Sequence, residues 1–150
     1  MDGPLLICYD GSPESALGID VAAKLMTSRQ AVVLNVGPPL TGSESFATLS
    51  SVVPGNAFGE LNEADALRVA REGATRAREA GFAAEPRASV AAPTWQGIVD
   101  VASELDAAAI VIGSRGLSGL REVARGSLSH QLAEHAGRPV LIVPPPHGDE

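Results

Sequence analysis

The 150-residue sequence predicts a single doubly wound α/β domain, three layers deep (α/β/α), around a five-stranded parallel sheet of order 3-2-1-4-5. Three observations carry this expectation. Short apolar runs alternate with longer stretches of helical periodicity, the pattern of βαβ units joined by right-handed crossovers. The runs are continuously apolar, as strands covered by helices on both faces must be. Hydrophobic residues make up 45% of the chain and aromatic ones only 3%, so the core is built from Ala, Val, Ile and Leu, which favours helices on a parallel sheet over a β-sandwich.

The elements follow in order. Pro4–Tyr9 (PLLICY) reads as a buried first strand, and Asp10-Gly11-Ser12-Pro13 supplies a turn, an N-cap serine and a proline at the first helical position. The helix runs from Pro13 to about Ser28, with Leu17, Val21 and Leu25 as its expected inner stripe. Ala31–Val36 is the second strand. Residues 37–59 are rich in Gly, Pro and Ser without sustained periodicity and form a long loop. Helical spacing resumes with Leu61, Ala64, Leu67, Ala70, Ala74 and Ala77, with Arg68, Arg71, Glu72, Arg76 and Glu79 outward, until Gly81 stops it. Phe82–Val90 is a third strand, placed at an edge because Pro86 cannot donate to a ladder. Thr94 is expected to cap a helix with the stripe Ile98, Val101, Ala102 and Leu105. Ala107–Gly113 is the clearest buried strand, Ser127 opens a last helix carrying Leu128, Leu132 and Ala136, and Pro139–Val143 closes the sheet.

Composition excludes several functions. A net charge of −7 repels phosphate backbones and anionic membranes, so no nucleic acid and no membrane is expected as a partner. The apolar runs are too short to span a bilayer, and MDGPLLICYD lacks a positive n-region and a cleavage pattern, which predicts a cytoplasmic protein. The one cysteine, Cys8, sits inside a buried strand and is expected to be an inert packed thiol.

In Rossmann-like sheets, ligands bind beyond the carboxyl ends of the strands, where strand order reverses. Two segments compete for that position: Asp10-Gly11-Ser12 after the first strand, and Gly113 to Gly119 (GSRGLSG) after the fourth. The order 3-2-1-4-5 makes them neighbours. Gly113, Gly116 and Gly119 allow close backbone approach, and Gly126-Ser127 opens a helix whose free N–H groups and dipole favour an anion. Arg115, Arg121 and Arg125 gather within eleven residues beside one acid, Glu122, and the only lysine, Lys24, is elsewhere. Phosphate is the natural guest of such a segment.

VIGSRGLSGLREVARGSLSHQLAE resembles the G-x2-G-x9-G-[ST] motif of the universal stress protein family at Gly113, Gly116, Gly126 and Ser127. ICYDGSPES, VVLNV and GRPVLIVP resemble that family's first, second and last strands. The resemblance implies an ATP-binding regulatory module of stress responses, with ADP or AMP as alternative ligands and Mg²⁺ bridging a polyphosphate. Asp10 and Val36 would line the adenosine end, Gly113 and Gly116 the ribose and phosphate turn, and Gly126, Ser127 and Leu128 the phosphate-binding helix start. Arg115 is assigned to the phosphates on charge alone. The resemblance also implies a homodimer through the last strand, Val140, Leu141, Ile142 and Val143.

Other chemistries fit less well. A Walker-A site needs a lysine after its glycines, and Lys24 lies mid-helix. G-x-x-G-x-x-G is not the dinucleotide fingerprint, and Asp10-Gly11-Ser12-Pro13-Glu14-Ser15 differs from the Ser-Gly-Gly-x-Asp-Ser of the ATP pyrophosphatases. No catalytic residue and no metal-ligand spacing is evident among His130, His135 and His147. Slow ATP hydrolysis, or a dimeric interaction module with an empty site, are the competing readings. Trp95 reads as a packing residue.

Overall fold

The computed structural model describes residues 2–27, 30–39, 57–114 and 127–146. Five parallel strands, β1 (Leu5–Cys8), β2 (Gln30–Gly37), β3 (Ala83–Val90), β4 (Ala109–Gly113) and β5 (Val140–Val143), form one sheet of order β3-β2-β1-β4-β5. Four described helices connect them: α1 (Pro13–Leu25), α2 (Ala57–Glu79), α3 (Thr94–Glu104) and α4 (Ser127–His135). Fold class and strand order are those the sequence predicts. Among the described residues no helix is long and apolar enough to cross a membrane.

Alternation along the strands divides the core into two layers. Leu5, Ile7, Tyr9, Val33 and Val111 face α1 and α2, while Leu6, Cys8, Leu34, Ile110 and Ile112 face α3 and α4. Leu6, Ile7, Leu34, Ile110 and Val111 are fully buried. Each such side chain contributes about 1.5–3 kcal/mol on removal from water.

Of the two helices on the first face, α1 turns a different side inward from the one periodicity predicts, while α2 buries Ala70, Ala74 and Ala77 as expected and departs from the predicted stripe nearer its start. In α1 the buried residues are Ser15, Gly18, Ile19 and Ala22, whereas Leu17 and Val21 pack only at the flank and Leu25 is 63% exposed. In α2 the inner row is Ala66, Ala70, Ala74 and Ala77; Ala64 is exposed and Leu67 half-buried. Apart from Ile19, the inward residues are small, and they bring each helix axis close to the sheet. A Cβ on Gly73 would stand 2.6 Å from the Tyr9 ring, so that ring fills the space a side chain would need. The outward charges of α2 behave as expected, with Arg68 paired to Asp65 and Glu72, and Arg76 reaching Asp20 on α1 at 2.7 Å.

Several boundaries move. α1 stops at Leu25 because Met26 is extended, with ψ 137°. α2 begins at Ala57, inside the stretch expected to be loop, while residues 40–56 lie outside the described residues. Pro93, extended and without a side-chain cap bond, occupies the N-cap of α3, so Thr94 is the first helical residue rather than the cap. β3 is an edge strand and contains Pro86, as expected. Arg138 ties down the other end of the α3 layer: its guanidinium donates to the carbonyls of Ala102, Ala107 and Ala136 at 2.8–3.2 Å. The Ala102 carbonyl also accepts the Ala107 N–H at 2.9 Å, so the guanidinium adds a second donor there.

Candidate functional site

The site is built from the carboxyl ends of β2, β1 and β4, which lie side by side. β1 pairs with β2 through Cys8 opposite Leu34 and with β4 through Ile7 opposite Val111. β1 is the centre from which strand order runs both ways, so its boundary with β4 is the switch point.

Beyond Cys8, the Tyr9 N–H still donates to the Leu34 carbonyl at 2.9 Å, and Asn35 Nδ2 donates to the Tyr9 carbonyl at 2.8 Å. The chain then leaves the sheet at Asp10 and turns through Gly11, whose φ of +86° suits glycine. Asp10 Oδ1 accepts the Ser12 N–H at 2.9 Å and the Ser15 hydroxyl at 2.8 Å. Ser12 caps α1, its Oγ accepting the Ser15 N–H at 3.1 Å, with Pro13 following as the sequence predicts. Asp10 is half-buried at the head of this turn.

On the β4 side, Gly113 lies opposite Val143 of β5, and the Ser114 N–H donates to the Val143 carbonyl at 2.9 Å. A Cβ on Gly113 would stand 2.8 Å from the Glu14 carbonyl oxygen and 3.3 Å from the Ser15 nitrogen. The two segments the sequence singles out are therefore in contact through the first turn of α1. Val36, half-buried at the end of β2, packs with the core layer beneath α3 and α4. Ser127 is the first residue of α4, and Leu128 packs against the same core layer. Arg115, Gly116 and Gly126 lie outside the described residues, as do Gly119, Arg121 and Arg125.

Burial, and secondarily the Asp10 charge, push the Cys8 thiol up to about 12, so it remains a protonated core group. Tyr9 is raised by burial first and by Glu72 and Asp10 next, with Arg76 opposing. His130 is exposed and stands 3.6 Å from Glu134, while His135 stacks on Trp95 with centroids 4.6 Å apart, a packing role for both rings. Among the described residues no group of three His, Cys, Asp or Glu could hold a metal ion.

Two contributors escaped the sequence reading. Ser15 sits where a capping box would place Glu or Gln, and its spacing of three from the N-cap serine was the available signal. Asn35 was legible as the one polar residue within the apolar run Ala31–Val36.

The architecture defines a doubly wound α/β domain with its switch-point edge formed by Asp10 and Gly113. The model of the universal stress protein family matches residues 2–144, and the chain belongs to that family. It is 34% identical over 148 residues to the universal stress protein YxiE of Bacillus subtilis strain 168, covering 95% of this chain and 99% of that one. A universal stress protein solved in complex with cAMP shares its fold with TM-score 0.65 at 23% identity, covering 94% of this chain and 96% of the other. The universal stress protein from Archaeoglobus fulgidus in complex with dAMP has TM-score 0.62 and 20% identity, with 94% and 97% covered.

Proposed function

We propose that this protein is a regulatory module that binds an adenine nucleotide, ATP in the first instance, at the carboxyl edge between β1 and β4. The observation that carries this reading is the contact between the Asp10 turn and Gly113 where strand order reverses. Two solved proteins of like fold hold the adenine nucleotides cAMP and dAMP, which supports the ligand class.

In this reading Asp10 and Val36 receive the nucleoside, and the Gly113–Gly116 backbone turns closely around ribose and α-phosphate. Gly126, Ser127 and Leu128 present main-chain N–H groups to the outer phosphates, where the α4 dipole adds attraction. Arg115 supplies countercharge. With no carboxylate and imidazole cluster gathered among the described residues, a Mg²⁺ ion would rest on phosphate oxygens and water, the usual manner for this cation.

Regulation follows from position. The ligand would touch the start of α1 on one face of the sheet and the start of α4 on the other. Binding would favour the conformation in which both are correctly placed, a population shift that needs no hydrolysis. Gly113 is paired with Val143, so the same event reaches β5. β5 is an edge strand with Ile142 40% exposed, and we place a homodimer contact there, along Val140–Val143. The working compartment in this reading is the cytoplasm, where ATP is abundant.

Calorimetric titration of nucleotide-free protein with ATP tests the site. Saturable binding in the wild type and none in folded Gly116→Val is expected, because a branched side chain blocks backbone approach to the phosphates. Equal affinity in the two would sink the proposed site.

A further inference from the structure

We infer that Ser15 is a positioning residue for the nucleotide site, holding the Asp10 carboxylate in one orientation from beneath; this rests on the binding site proposed above. Ser15 is 1% exposed, the only buried polar or charged residue among those described. Its hydroxyl has one proton to give and two lone pairs to fill. Asp10 Oδ1 at 2.8 Å and the Ser12 carbonyl at 3.0 Å are the available acceptors, and the shorter contact to a carboxylate oxygen takes the proton. The Ser12 hydroxyl donates to Ser15 Oγ at 3.1 Å, and the Asp10 N–H donates to it at 3.3 Å. Ser15 therefore grips both the backbone and the side chain of Asp10.

A buried hydroxyl is not needed to start this helix. Ser12 already provides the cap and Pro13 the fixed φ, and an alanine at position 15 would suit the interior better. What the hydroxyl adds is a second donor on Oδ1. With the Ser12 N–H as the first, Oδ1 is held by two bonds, and among the described residues Oδ2 enters none of this network. Asp10 thus offers one oxygen to a ligand from a carboxylate that cannot swivel. Pre-set acceptors of this kind strengthen binding because their ordering is complete before the ligand arrives.

A double-mutant cycle tests the role. ATP affinity is measured by calorimetry well below the melting temperature in wild type, Ser15→Ala, Asp10→Ala and the double variant. Ser15→Ala is expected to weaken ATP about tenfold in the wild-type background and to change nothing further once Asp10 is alanine. A merely structural role would lower the melting temperature alike in both backgrounds and leave the affinity of folded protein unchanged. Ser15→Cys, of similar shape with a weaker donor, should fall between wild type and alanine, and carries the same comparison if the alanine variant does not fold. Loss of affinity in Asp10→Ala with none in Ser15→Ala would overturn the positioning role alone, as would an equal loss in both backgrounds. Wild-type affinity in Asp10→Ala would overturn the site as well.

Discussion

Gly113 and Glu14 meet so closely that no side chain fits between them: a Cβ on Gly113 would stand 2.8 Å from the Glu14 carbonyl oxygen. The last residue of β4 and the first turn of α1 are seated on each other at the switch point. This glycine serves the fold before it serves any ligand. Gly113→Ala is expected to cost about 1–3 kcal/mol by forcing α1 outward. Urea denaturation checks it, as a lower midpoint at unchanged slope.

Arg138 gathers three carbonyl acceptors, Ala102 in the last turn of α3, Ala107 in the connection to β4 and Ala136 just after α4. Arg138→Ala leaves those acceptors without their cation and should lower stability by about 2–3 kcal/mol. Lysine at this position should recover little, since a single ammonium cannot reproduce the planar fork. Both effects are read from urea midpoints.

Cys8 gives the protein an alkaline limit. Its folded thiol is pushed up to about 12 from its ordinary range, burial being the main cause and Asp10 the lesser. The folded state holds its proton more tightly, so this contribution to stability is full below about pH 9 and is lost as pH rises towards 12. Stability should fall across that window, and less steeply in Cys8→Ala. Tyr9, also raised, keeps part of the slope in the variant. Native Cys8 should resist iodoacetamide at pH 8 and react on unfolding.

Ile142 is one of two large apolar residues exposed among those described, and it lies on an edge strand. If the homodimer proposed along β5 forms, Ile142→Arg should convert it to a monomer with little loss of fold stability, because the change is on the surface of the protomer. Sedimentation equilibrium gives the mass: a dimeric mass unchanged in the variant would contradict a contact through β5, and a monomeric wild type would contradict the proposed dimer.

Sheet order and core strands were legible because the central strands are short apolar runs between unmistakable breakers, as in Leu5–Cys8 before Asp10-Gly11, while Pro86 marked β3 as an edge. Helix orientation was less so. Periodicity favoured Leu17, Val21 and Leu25, yet α1 turns Ile19 inward together with the small residues Ser15, Gly18 and Ala22, which let its first turn seat against Gly113 of β4. Asp10 and Gly113 could be paired from the sequence once the strand order was inferred. Ser15 was less legible: its spacing from Ser12 marks a capping position, but a serine in a first helical turn reads as an ordinary polar residue until its burial is seen. Thr94 misled for a related reason: it is a good cap by type, but Pro93 already holds the extended conformation that a cap requires.

Adenine-nucleotide binding is tested most directly by denaturing the freshly purified protein and identifying the released small molecules by chromatography and mass spectrometry. The expected result is an adenine nucleotide in near-stoichiometric amount, missing from Gly116→Val prepared in parallel. A folded wild-type protein that releases none, and takes up no ATP when titrated, would contradict the proposed function.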